Sequence, residues 1–133
     1  MSDFNPQLFG KICNTLFMLG VPAHVSGYEY LVSAITRVVN DPSNLRAITS
    51  RLYPGVAREC NSEPQRVERS IRNAIEMGFS RCDISMLEDY FGAAFDREKG
   101  KTTNSEFIAT VAQKIRLELG HVPETTEANK SAK

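Results

Sequence analysis

Arg66, Glu68, Arg69 and Arg72 stand within one seven-residue stretch, Arg-Val-Glu-Arg-Ser-Ile-Arg. On a helix these side chains fall on one outward face, with Asn73 beside them. An arginine fork donates two hydrogen bonds to the O6 and N7 acceptors of guanine, and a glutamate accepts one from the cytosine N4 amino group. A neighbouring guanidinium can neutralise a phosphate. Arg69 and Glu68 are therefore the candidate base readers, while Arg66 and Arg72 suit either a base edge or a phosphate. The same residues also admit a plainer reading, a solvated helix face laced by the i,i+4 pair of Glu68 with Arg72.

The elements that would hold this face are written around it. Val56, Ala57 and Cys60 share one side of a short preceding helix, and small Ala57 lets a second helix cross closely. Asn61 tolerates the left-handed conformation that ends a helix. Ser62 and Gln65 have capping-box spacing, and Pro64 suits a first helical turn, so the spacing predicts a new helix from about Glu63. Val67, Ile71, Ala74 and Ile75 give it an inward stripe. A short helix, a polar corner and a helix with an arginine-rich outer face form the pattern of a helix-turn-helix.

The rest reads as helical scaffold. Leu8, Ile12, Leu16 and Phe17 predict a first helix stopped at Gly20-Val21-Pro22. Ser26 to Glu29 has capping-box spacing before a helix with the stripe Leu31, Ile35, Val38 and Val39, ending near Asn40-Asp41-Pro42. Leu45, Ile48 and Leu52 carry a short third helix. Asp83 caps a helix holding Ile84, Leu87 and Phe91, closed by Gly92, and residues 93 to 103 read as a loop. Thr103 and Glu106 repeat the capping box ahead of Phe107, Ile108, Val111, Ile115 and Leu119. That stripe is read as core, with its outer edge available to pair copies. Lys99, Lys101 and Ser105, with the amides at the start of this last helix, compose either a phosphate clamp or a solvated loop. No strand alternation or internal repeat interrupts the pattern, so the expected fold is an all-α bundle.

Composition sets limits on function. The chain has 133 residues, 41% of them apolar, enough for a single core. Residues 1–120 are expected to form the domain, and the small, polar residues 121–133 a disordered tail. No apolar run reaches the roughly 18 residues of a membrane span and no signal segment opens the chain, so a cytoplasmic protein is expected. Cys13, Cys60 and Cys82 are odd in number and far apart, which predicts buried thiols rather than disulfides or a zinc site. His24 and His121 are the only histidines, and no phosphate loop, nucleophile elbow or zincin spacing accompanies them, so neither an enzyme nor a cofactor or metal is expected. The formal net charge is zero, yet residues 50 to 81 hold six arginines against four glutamates. Asp83, Glu88, Asp89, Asp96 and Glu98 follow, opposed only by Arg97. Attraction to phosphate is thus local, and non-specific binding is expected to be weak and salt-sensitive.

Several stretches together carry a family resemblance. They are Gly20-Val21-Pro22-Ala23-His24, Gly27-Tyr28 with Tyr30-Leu31, Leu52-Tyr53-Pro54, Arg66-Val67-Glu68-Arg69 with Ile71-Arg72, Ala74-Ile75-Glu76, Thr103 to Ala109, and Arg116-Leu117-Glu118. In this order, from about residue 10 to residue 119, the chain resembles the C-terminal DNA-binding effector domain of the master sporulation response regulator, the stage 0 sporulation protein A family.

The resemblance implies a compact helical domain of about six helices with a helix-turn-helix. It implies a sequence-specific transcription regulator that binds TGTCGAA-like boxes in double-stranded DNA, often in tandem. By the same resemblance, Arg66, Glu68, Arg69 and Arg72 are DNA contacts, the RNA polymerase sigma subunit is a partner, and two copies pair on tandem boxes. Ser62, Gln65, Asn73, Lys99, Lys101 and Ser105 are the candidate phosphate or flanking contacts. Ser70 and Asn73 depart from the Ala and His common in relatives, and Met77-Gly78-Phe79 replaces a run that usually ends in Trp; these changes bear on box preference. The family's N-terminal phosphoacceptor receiver has no counterpart ahead of the matching region, so the chain is either a domain cut from a longer regulator or a stand-alone effector; the opening Met-Ser-Asp-Phe-Asn and the tail that departs from the family pattern favour the second. The competing reading is an interaction protein that pairs with, or antagonises, a full-length regulator.

Overall fold

The computed structural model describes residues 4–120. Six α-helices follow one another: α1 Pro6–Met18, α2 Ser26–Asn40, α3 Tyr53–Glu59, α4 Pro64–Phe79, α5 Ile84–Phe91 and α6 Asn104–Glu118. Among the described residues there is no strand, only an isolated antiparallel bridge between Asp96 and Lys101. The expected all-α bundle of about six helices is the fold observed. The polar tail and His121 lie outside the described residues.

α2 is the centre of the bundle and packs against α1, α3, α4 and α6. Its stripe Leu31, Ile35, Val38 and Val39 is buried as its spacing predicts. The closest approach is to α4. A Cβ on Gly27 would stand 2.1 Å from the Ser70 carbonyl oxygen and 2.7 Å from the Ala74 methyl, so only glycine lets these two helices cross at this separation. At the other end of α4, the rings of Phe79, Phe91, Phe95 and Phe107 pack with centroids 5.4 to 5.9 Å apart. They join α4, α5, the following turn and α6 through tilted and edge contacts, the arrangement aromatic quadrupoles favour.

The end of α1 is as expected. Gly20 has φ 80°, its N–H bonds the Phe17 carbonyl, and the Val21 N–H reaches back to the Leu16 carbonyl at 2.9 Å, a Schellman closure. Asn5 caps the start of α1 by accepting from the Leu8 N–H.

Several expectations need correction. Phe17 is 84% exposed, because it sits about 100° around the helix from the stripe of Leu8, Ile12 and Leu16. Ser26 does not cap α2: Val25 is the last extended residue and Ser26 is already helical, which carries Gly27 into the crossing with α4. Leu45, Ile48 and Leu52 do not share an α-helix. A 3₁₀ turn, Pro42–Arg46, is followed by a π-type turn, Ile48–Leu52, that runs straight into α3. Asp83 has the extended cap conformation ahead of α5, without a side-chain cap bond. The three cysteines are half-buried rather than fully buried, and all are free. Desolvation, with acidic neighbours, pushes the Cys60 and Cys82 thiols above their ordinary value and keeps them protonated at neutral pH.

Gly27→Ala is expected to lower unfolding free energy by about 3 kcal/mol or more, at the upper end of overpacking costs. The added methyl meets a backbone oxygen that cannot rotate away. Gly10→Ala, in open space on α1, is expected to gain about 0.5–1 kcal/mol. Urea unfolding of the two variants beside the wild type checks both signs.

Candidate nucleic-acid interface

The corner between α3 and α4 is a backbone construction. Asn61 is the one described non-glycine residue with positive φ, at 56°. Beyond it, the Ser62 N–H bonds the Ala57 carbonyl at 2.8 Å, closing α3 in a Schellman motif. The expected capping box of Ser62 with Gln65 is not formed. Pro64 takes the first helical position and forces the residue before it to be extended, so the cap falls on Glu63, with φ −118° and ψ 146° and no side-chain cap bond. Ser62 instead belongs to the end of α3, and its hydroxyl accepts from the Tyr30 phenol at 3.0 Å.

Two more groups pin α3 to α2. Glu59 accepts from the Ser33 hydroxyl at 2.7 Å and from the Arg37 guanidinium at 3.1 Å. The same guanidinium lies over Gly55, where a Cβ would meet it at 2.7 Å. The first helix of the motif is thereby fixed by polar contacts at its end and a close approach in its middle.

α4 then presents its faces as its periodicity predicts. Val67, Ile71, Ala74 and Ile75 are buried, while Gln65, Arg66, Arg69, Arg72 and Asn73 are exposed. Glu68 is half-buried and paired with Arg72, the i,i+4 bridge of the plainer reading. Arg66 and Arg69 have no ion-pair partner among the described residues. Two guanidinium groups therefore project from the outer face with their donors unused.

The segment before α6 is more ordered than a plain loop. The Asp96 carboxylate accepts the Glu98 and Lys99 amides, and the Asp96 N–H bonds the Lys101 carbonyl at 2.9 Å. The capping box ahead of α6 is formed in both directions: the Glu106 amide donates to the Thr103 hydroxyl and the Thr103 amide donates to the Glu106 carboxylate. The backbone amides of Asn104 and Ser105 are left without a partner among the described residues.

These parts meet. An open groove of about 900 Å³ runs between α4 and the start of α6, lined among others by Gln65, Glu68, Arg72, Lys99, Lys101 and Ser105. Candidate residues some thirty positions apart in the chain thus share one concavity. Ser62, Arg66, Arg69 and Asn73 lie outside its lining. Lys101 bonds Glu76 of α4 at 3.1 Å, whereas Lys99 has no ion-pair partner among the described residues. The acidic groups of the groove are all engaged: Glu68 with Arg72, Glu76 with Lys101, Glu106 in the capping box and Asp96 in its own turn. The unpaired groups here include the basic Arg66, Arg69 and Lys99, two amides of a helix N-terminus and the buried Thr102 hydroxyl.

A family model described as sporulation initiation factor Spo0A C terminal matches residues 12–115. The chain belongs to this family. As a Spo0A C-terminal domain it is a DNA-binding domain of a sporulation transcription regulator, and not a member of an enzyme family. The match spans all six helices in whole or in part, including the α3–α4 motif and the α6 capping box. Among the described residues no helix is long and apolar enough to cross a membrane.

Two positioning residues of this Spo0A C-terminal domain were not marked by sequence reasoning. Tyr30 reaches the corner from α2. Asn104 donates to the Glu68 carbonyl at 3.0 Å and to the Tyr53 hydroxyl at 3.2 Å. No local spacing signals either, since each partner is distant in the chain.

Asn61→Gly is expected to leave stability within a few tenths of a kcal/mol, and Asn61→Ala to cost about 1–2 kcal/mol, the penalty of a β-carbon in the left-handed region. Thermal unfolding of both variants measures the difference.

Proposed function

We propose that this domain binds DNA sequence-selectively, with α4 in the major groove and TGTCGAA-like boxes as its targets. The observation that carries the reading is the pair of unpartnered guanidinium groups, Arg66 and Arg69, on the outer face of α4, beside a groove that gathers Glu68, Arg72, Lys99, Lys101 and Ser105. Unused forked donors on an exposed helix suit guanine O6 and N7.

Roles follow from position. Arg69 and Glu68 read bases. Arg66 lies one helical turn N-terminal to Arg69 and takes either a base or a phosphate. Arg72 takes the same alternatives while its bridge to Glu68 holds that carboxylate in place. A carboxylate so oriented accepts from the cytosine amino group without first losing rotamer freedom. Lys99, Ser105 and the free amides of Asn104 and Ser105 meet a phosphate across the groove, and Lys101 joins them by exchanging Glu76 for the DNA backbone. Gln65 and Asn73 flank the readers at the two ends of the outer face, and Ser62 contributes beside the corner.

Zero net charge makes the electrostatic attraction local, so selectivity rests on the base-reading contacts more than on a long-range field. Tandem boxes bring two copies together and give cooperative binding, and contact with polymerase sigma subunit converts binding into regulation.

Titration of the purified chain against a labelled two-box duplex and a scrambled duplex, at several salt concentrations, tests the reading. Preference for the boxes is the expected result, and equal affinity for both duplexes overturns it. Arg69→Ala is expected to lose about 1–3 kcal/mol on the cognate duplex and relax selection at one base pair. Lys99→Ala and Lys101→Ala are expected to weaken all sequences alike and to flatten the salt dependence.

A further inference from the structure

We propose that Asn104 is the positioning residue for base readout, setting the rotation of α4 through the main-chain carbonyl of Glu68. The inference rests on the DNA reading above and adds a residue whose side chain need touch neither base nor phosphate.

The geometry is specific. Asn104 is the first residue of α6, and its single carboxamide nitrogen donates twice, to the Glu68 carbonyl at 3.0 Å and to the Tyr53 hydroxyl at 3.2 Å. Both N–H groups of the amide are therefore spent. Helix geometry directs the Arg72 N–H to the same Glu68 carbonyl, whose second lone pair Asn104 takes. Tyr53 opens α3 and is buried. Desolvation holds its phenol above the ordinary value, and the hydroxyl oxygen accepts from Asn104 through a lone pair. One side chain thus ties the start of α3, the second turn of α4 and the N-terminus of α6.

The tie falls at the residue where it has most effect on reading. Glu68 is a candidate base reader, its carboxylate is bridged to Arg72, and Arg69 is next in the chain. Apolar packing of Val67, Ile71, Ala74 and Ile75 keeps α4 against the core but tolerates small rotations and slides, since dispersion contacts are individually weak and non-directional. Base readout needs tips held within about 0.5 Å and 10–20°. A hydrogen bond to a main-chain carbonyl supplies direction that the apolar stripe lacks. The same asparagine also places its own free amide, and that of Ser105, relative to Glu68, so the phosphate side and the base side of the groove keep a fixed register.

The test compares Asn104→Ala and Asn104→Asp with the wild type. Asp keeps the shape and suits a first helical turn, but its carboxylate cannot donate to the Glu68 carbonyl. Two readouts are taken: the ratio of affinities for the two-box and scrambled duplexes, and residue-resolved amide exchange in the free protein. Expected for both variants is a fall of roughly tenfold in the ratio, the worth of one well-aligned base contact. Amide exchange over Ile71–Asn73 should quicken while that of α1 and α2 is unchanged. Tyr53→Phe, which removes one acceptor and retains the bond to Glu68, should lower the ratio less. A variant that only loosens the fold weakens both duplexes in parallel; an unchanged ratio therefore overturns the proposal. Should the wild type itself show no box preference, the DNA reading fails on its own, and unchanged exchange in α4 still overturns the positioning role.

Discussion

Everything on the presenting face depends on how closely α2 and α4 cross. With no β-carbon on Gly27, the Ser70 carbonyl of α4 rests directly against α2, and the small Ala74 completes the contact. That crossing fixes which side of α4 is inside. Once Val67, Ile71, Ala74 and Ile75 are committed to the core, a helix of 3.6 residues per turn has no choice but to turn Arg66, Arg69 and Asn73 to solvent. The corner at Asn61 then sets the direction from which α4 arrives, and the extended residue demanded by Pro64 sets where it begins. Recognition chemistry is therefore downstream of a steric condition met by one glycine.

Much of this was legible from the sequence because it is periodic or local. The stripes of α2, α4 and α6, the left-handed Asn61, the Gly20 stop and the Thr103–Glu106 capping box all rest on spacings of a few residues, and each is present. The failures are cases where a local signal met a stronger constraint. Ser62 and Gln65 have cap spacing, but Ser62 was already used to close α3 and its hydroxyl was taken by Tyr30. Ser26 has it too, but the crossing at Gly27 draws it into the helix. Leu45, Ile48 and Leu52 have helical spacing, yet the chain passes from a 3₁₀ turn to a π-type turn across them. Phe17 looked apolar enough to be core but lies off the stripe. Tyr30, Tyr53 and Asn104 were unreadable for a different reason, since their roles exist only through partners brought near by the fold.

The candidate residues themselves divide by electrostatic state. Glu68, Arg72 and Lys101 are in ion pairs, while Arg66, Arg69 and Lys99 are not. Exposed pairs of this kind are worth at most about 1 kcal/mol each, so they cost little to exchange for a phosphate or base. They also do something an unpaired surface could not. They occupy Glu68 and Glu76 while backbone amides occupy Asp96 and Glu106, so the groove's carboxylates compete less for the remaining guanidinium and ammonium groups. A chain with no net charge can in this way offer a locally basic face.

The short run Thr103-Asn104-Ser105-Glu106 shows how densely such a face is built. Thr103 and Glu106 close the capping box and so determine where α6 begins. That start leaves the amides of Asn104 and Ser105, two residues that line the groove, without an intrahelical partner, at the positive end of the helix dipole. The Asn104 side chain donates to the Glu68 carbonyl and the Tyr53 hydroxyl, and both of those residues line the same groove. Helix capping, anion-facing donors and the register of α4 thus come from four consecutive residues. Losing the cap would shift the first turn of α6, and with it both the free amides and the amide that holds α4. On the proposed DNA reading, phosphate contact and base contact are therefore not independent modules; they are two ends of one connection that runs through the Asn104 hydrogen bonds to α3 and α4.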